Sequence, residues 1–151
     1  MTDPAWLTDA LRSTAPFIRT LGLEVVALDD DHALLRLPHA EAVLNHVGGP
    51  HAGAIFSLGE SAAAALMVQR FGGWLDRAVP LAVSGEIRWL RLARSGVTAE
   101  ARMLRPAAEV LAELERGGHP EWDTRVVFRR EDDGAECAEM TVVLTLRPRK
   151  D

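Results

Sequence analysis

Glu60 is the one charged residue between Ala52 and Gln69, in a run of alanine, glycine, serine and larger apolar side chains. A bare carboxylate in such surroundings is costly. It is also one of the few groups able to draw a proton from water or to attack an electrophilic carbon itself. At the start of the same run stand His51, Ala52 and Gly53. If the run is a helix, its first backbone amides lack internal acceptors and lie at the positive end of the dipole. They then suit an oxygen that gains negative charge during a reaction. Gly53 leaves that end open to close approach. With about 1.5 Å of rise per residue, Glu60 is roughly 10 Å from Gly53 along the axis. One chain therefore cannot bring both groups to one bound carbonyl. Two copies of the helix, antiparallel across a twofold axis, would place Glu60 of each beside the N-terminus of the other.

Several neighbours could assist. Ser57 shares the helical face of Glu60 and Ser61 is adjacent to it, so either hydroxyl could orient the carboxylate. Asn45, in a polar and glycine-rich loop before the helix, divides between loop brace and holder of an attacking water. Plainer readings stand beside these. Glu60 could be structural, satisfied by Ser57, Ser61 or an arginine of a second copy. His51 could simply open the helix and bond a nearby carbonyl. Gly48 and Gly49 could be loop glycines with positive φ. Arg88, Arg91 and Arg94 could grip phosphate, although such a series more often forms the solvated face of a strand. His32, His39 and His119 are too dispersed to suggest a metal site. A serine-hydrolase elbow is missing, since Val83, Ser84 and Gly85 supply only part of one.

The elements that would position these groups are legible as periodicities. Trp6, Leu7, Ala10, Leu11, Thr14, Phe17 and Ile18 recur at spacings of three and four, predicting an amphipathic helix from Pro4 to about Thr20, opened by Asp3 and Pro4. Extended runs at Leu23–Leu28 and Ala33–Leu37 flank the acidic turn Asp29, Asp30, Asp31. His39 to Pro50 reads as loop, and His51 to Phe71 as a long apolar helix whose small residues let neighbouring backbone approach closely. Further strands are predicted at Leu81–Leu92 and Val97–Leu104 around Ser95 and Gly96. Two more follow at Thr124–Arg129 and Cys137–Leu146 around Asp132, Asp133 and Gly134. Pro106 begins a short helix, AAEVLAELERGG, between the second and third of these strands. Six strands and one small-residue helix predict an α+β hotdog fold, a curved antiparallel sheet wrapped around the long central helix.

The chain of 151 residues, 48% hydrophobic and 26% charged, is sized and composed as one globular domain spanning 1–151. Its net charge of −5, without a basic stripe, argues against nucleic acid as a partner. Cys137 is the only cysteine, which excludes an internal disulfide and a cysteine-cluster metal site and fits the cytoplasm. The N-terminal residues lack the basic and apolar regions of a signal peptide. No stretch reaches a membrane span without polar breaks.

The segment LNHVGGPHAGAIFSLGESAAAALM resembles the signature of hotdog thioesterases of the phenylacetate-degradation and hydroxybenzoyl-CoA types. In that signature an asparagine and a glycine precede a His-Gly-Gly helix start and an acidic residue lies nine positions after the histidine. Asn45, Gly48, Gly49, His51, Ala52, Gly53 and Glu60 hold the corresponding places. The run EIRWLRLARSG, from Glu86 to Gly96, is similar to the family's strand that ends in Leu-Arg-Pro-Ala before a glycine. There are departures: Ala52 replaces the first glycine of the pair, Ala93 follows Leu92 where the family has proline then alanine, and the helix at Pro106 lengthens a usually tight connection.

The resemblance implies an acyl-CoA thioester hydrolase with no cofactor beyond the acyl-CoA substrate itself. It implies Glu60 as base or nucleophile, Gly53 as amide donor and Asn45 in the catalytic group, with His51, Ala52, Gly48, Gly49, Ser57, Ser61 and Ser84 at the substrate. A homodimer or a dimer of dimers is expected, with small-molecule acyl thioesters as partners. Two other readings remain. One is a hotdog protein that binds acyl-CoA without turnover, which Ala52 keeps open. The other is a hotdog hydratase or dehydratase using His46 and Glu60, whose usual Pro-Gly helix start Ala52-Gly53 does not reproduce.

Overall fold

The computed structural model describes residues 4–149. Asp3, expected to open the first helix with Pro4, lies outside the described residues.

Pro16 divides that expected helix into two. Proline has no N–H to donate, and its ring drives the residue before it out of the helical region. Ala15 accordingly sits at φ −137° and ψ 107°. The result is α1 (Pro4–Thr14) and α2 (Pro16–Leu21), the latter ended by Gly22 at φ 68°. Strands β1 (Glu24–Leu28) and β2 (Ala33–Leu37) follow. The Asp29 carboxylate closes the turn between them by accepting from the Asp31 and His32 amides at 2.8 and 2.9 Å. After a loop come α3 (Ala52–Phe71), β3 (Ala78–Trp89), β4 (Val97–Met103), α4 (Ala107–Glu115), β5 (Glu121–Arg130) and β6 (Glu136–Pro148).

The strands form one six-stranded sheet in the order β1-β2-β4-β5-β6-β3, and every pairing is antiparallel. This is the predicted α+β arrangement, a curved sheet around a central helix. By length and composition Ala52–Trp74 would suffice for a membrane span. Here most of that segment is the inner layer of the fold. Leu58, Ala62, Ala63 and Leu66 of α3 are buried together with Leu35, Ala99, Val126 and Phe128 of the sheet. The small residues of α3 are needed for that proximity. A Cβ on Gly59 would lie 2.4 Å from Phe128 Cζ and 2.8 Å from Met140 Sδ. Gly59→Ala is expected to destabilise by about 1–3 kcal/mol through overpacking, read as a lower urea midpoint with an unchanged slope.

The largest difference from the sequence reading is β3, which starts and ends three residues earlier than Leu81–Leu92. Pro80 argues against a strand interior. However, β3 is an edge strand, where a residue without an N–H is tolerated. At the other end the Leu90 and Arg91 amides both donate to the Cys137 carbonyl, at 2.8 and 3.1 Å, and the chain leaves the ladder. Among the described residues the outer edge of β3 carries no partner strand, and residues 81–86 are exposed throughout.

Candidate active site

The loop before α3 is braced from within. Asn45 Oδ1 accepts from the Val47 and Gly49 amides at 3.0 and 3.1 Å, and its Nδ2 reaches the Pro50 carbonyl at 3.5 Å. The Asn45 side chain is thus engaged by its own loop. Gly48 stands at φ 78° and its carbonyl accepts from His39 Nε2 at 3.0 Å. A Cβ on Gly49 would lie 2.0 Å from the Ala93 carbonyl oxygen, so this glycine lets the loop press against the β3–β4 connection. The His51 amide donates to Val43 O at 2.7 Å and fixes the entry into α3.

His51 is the N-cap of α3, and its Nδ1 accepts from the Gly53 amide at 2.9 Å. The proton of a neutral imidazole in that contact is on Nε2. Gly53, the amide singled out from the sequence, is therefore already capped, while the Ala52 and Ala54 amides have no acceptor among the described residues. Ala52 is exposed at the same helix end. Sequence reasoning placed His51 at the helix start but missed which amide it would occupy. A ring nitrogen two residues before Gly53, at an N-cap, was the available signal.

Glu60 lies on the stripe of α3 that the sheet leaves uncovered, with Gly53, Ser57, Ala64 and Val68. It has no hydrogen-bond or ion-pair partner among the described residues, and burial pushes its carboxyl above the usual carboxylate range. Neither serine orients it. Ser57 Oγ donates to the Gly53 carbonyl at 2.8 Å, and Ser61 is 3% exposed on the core side of the helix. Ser84 is more remote. A Cβ on Gly85 would meet Phe56 of α3, so strand alternation turns Ser84, with Glu86 and Arg88, to the outer face. One chain therefore brings His51, Ala52, Gly53 and Ser57 together at the helix start. It leaves Glu60 two turns away and Ser84 on the far side of the sheet.

The raised carboxyl predicts a stability difference. Folding favours the protonated form of Glu60, so its ionisation opposes folding, and the opposition grows as pH rises through the folded-state value. Glu60→Gln is expected to be more stable than the parent above that value. The advantage should vanish as pH falls below the ordinary carboxylate range, as followed by urea unfolding across pH at fixed protein concentration.

Two cavities that the sequence did not reveal flank the start of α3. One, of about 450 Å³, lies between α2, residues 42–44 and the first turn of α3. The other, of about 330 Å³, includes Asn45, Ala52, Trp89 and Arg91. Among the described residues no group of three or more His, Cys, Asp or Glu side chains could hold a metal ion.

The long helix enclosed by a six-stranded antiparallel sheet is the hotdog fold of the thioesterase superfamily. Within it the chain belongs to the family DUF4442, a domain of unknown function, which it matches over residues 5–146. Among solved structures it is similar to a Pseudomonas aeruginosa protein of unknown function named a probable thioesterase. The two share 25% identity over 98% of this chain and 97% of that one, with a TM-score of 0.83. A thioesterase from Haemophilus influenzae is 19% identical over 98% and 92% of the two chains, with a TM-score of 0.73. A thioesterase family protein from Silicibacter pomeroyi is 21% identical over 97% and 100%, with a TM-score of 0.74. No curated protein matches the sequence.

Proposed function

We propose that this protein is an acyl-CoA thioester hydrolase acting as a homodimer, with each site assembled from two chains. The observation that carries this reading is Glu60, a carboxylate with no partner among the described residues, raised by burial, on the uncovered stripe of the central helix. An ionisable group held this way at a cost to folding fits a general base more readily than a brace. The names of the structural relatives support the same chemistry.

The second chain is argued from the edge of the sheet. Strand β3 is twelve residues long with an outer edge unpaired among the described residues, and its Leu81 and Val83 are 45% and 46% exposed. A long apolar edge is an aggregation hazard unless something pairs with it. A second copy joining β3 to β3 about a twofold axis would continue the sheet and set the two α3 helices antiparallel. Glu60 of one chain would then face the helix start of the other. A water activated by Glu60 attacks the thioester carbon while the helix-start amides hold the carbonyl oxygen as it becomes an oxyanion. Collapse of the tetrahedral intermediate breaks the C–S bond, and the proton taken by Glu60 passes to the leaving thiolate. Direct attack by Glu60 through a mixed anhydride is the alternative route to the same products.

The test is free-thiol release from acyl-CoAs of varied length and aromatic character. Turnover that saturates with substrate is expected. Saturable binding with no turnover on any of them would overturn the hydrolase reading. It would favour a protein that binds acyl-CoA without cleaving it, a reading to which the His51 cap on the Gly53 amide lends some weight.

A further inference from the structure

The 450 Å³ cavity and the 330 Å³ cavity lie on opposite sides of the helix start, and a thioester has two arms. Their linings differ in chemistry. The smaller cavity has apolar walls from Ile55, Trp89, Leu90 and Leu92 but also carries a charged side chain, Arg91, which suits the polar amide-containing arm of a carrier thiol. The larger one is walled by Phe17 and Leu21 of α2 and by Val43, Leu44 and Ala54, with no charged side chain in its lining. Its polar groups, His51 and Ser57, sit at the α3 end, and each already has a hydrogen-bond partner there.

We propose that the cavity beneath α2 receives the acyl chain, and that it selects aliphatic chains of medium length against acyl groups carrying a charge. This assignment rests on the thioesterase reading and deepens it. The cavity opens at Gly53, so a carbonyl oxygen held at the helix start has its acyl carbon at the cavity mouth. A charged acyl terminus would give up its hydration against Phe17, Leu21, Val43 and Leu44, whose side chains offer it no partner. A methylene takes roughly the space of one water, ~30 Å³, so a chain of roughly ten carbons fills most of the volume. Phe17, 60% exposed on a helix with no buried residue, forms the outer wall. Its exposure has a use if an apolar chain lies against its inner face.

Two measurements test the assignment. The first is kcat/KM for a series of straight-chain acyl-CoAs from butanoyl to hexadecanoyl, with the dimeric parent and with Leu21→Trp. The parent should gain about fourfold per methylene, the ~0.8 kcal/mol of a buried CH₂, until the cavity is full. Leu21→Trp should move the optimum to a chain shorter by at least about two carbons. An unmoved optimum with activity retained would overturn the cavity assignment and leave the hydrolase reading standing. The second measurement needs no turnover. A non-hydrolysable acyl-CoA thioether with a diazirine at the chain end is photolysed on the unmodified protein, and the labelled peptide is sequenced. Label at residues 17–21 or 42–44 supports the cavity even if no substrate is cleaved. Label confined elsewhere, or no saturable label, overturns it whatever the activity.

Discussion

Replacing Glu60 by glutamine is expected to lower kcat for thiol release by roughly 10²- to 10⁴-fold, the contribution of a positioned general base. The amide keeps the size and polarity of the side chain but cannot accept the proton of an attacking water. KM should change little, because the uncovered stripe around Glu60 keeps its shape and the helix-start amides are untouched. The pH profile separates this role from a structural one. Burial holds the Glu60 carboxyl above the usual carboxylate range, so the rising limb of kcat/KM in the parent should lie above that range, with activity lost as pH falls through it. Residual activity of Glu60→Gln should lack the limb. If the variant kept both full turnover and the limb, Glu60 would be a residue of the helix packing and the base would lie elsewhere. The stability comparison should point the other way from the activity, with the variant that loses turnover expected to be more stable than the parent above the folded-state value. A group kept for packing alone would not give that opposition.

Much of the fold was readable because the signals were periodic and local. The small-residue stretch that predicted a wrapped helix is the helix that Phe128 and Met140 approach at Gly59. The Asp29 and Gly134 turns lie where alternating strands required them. Misplaced boundaries came from effects that depend on tertiary position. Pro80 is permitted because β3 is an edge strand, and edge status is a property of the whole sheet. Pro16 was a local signal, and its consequence at Ala15 follows from sterics that the amphipathic spacing hid. The candidate site was legible as a set of residue types and only partly as a geometry. Ser57 lies on the Glu60 face as its spacing demands, yet its hydroxyl bonds back to the Gly53 carbonyl, a competition that spacing cannot express. Ser84 turns outward because strand alternation ties its direction to that of Gly85, whose own direction is set by the close approach of Phe56. The larger cavity comes from the meeting of α2 with residues 42–44, segments separated in sequence by two strands.

Restoration of activity by mixing two inactive proteins is the second large effect expected, and it bears on the feature that one chain does not display by itself. Glu60→Gln removes the base and leaves the helix start intact. Gly53→Val does the converse. A Cβ at residue 53 already comes within 3.2 Å of His51 Nδ1, and a branched side chain there crowds the approach of a carbonyl to the helix start, where the Ala52 and Ala54 amides are free among the described residues. Each variant alone should be nearly inactive. If equal amounts are unfolded together and allowed to reassociate at random, half of the dimers contain one chain of each kind. Such a dimer has one site with both substitutions and one with neither, provided that Glu60 of one chain serves the helix start of the other. The mixture should therefore recover about a quarter of parental activity, against a near-zero sum of the separate variants. A site built within one chain gives a different result, because every site in every dimer then carries a substitution and mixing recovers nothing. Absence of recovery, with mixed dimers demonstrated by mass spectrometry, would place Glu60 and its carbonyl in the same chain. That arrangement would require the roughly 10 Å along α3 to be closed by a water chain or a movement of the helix start.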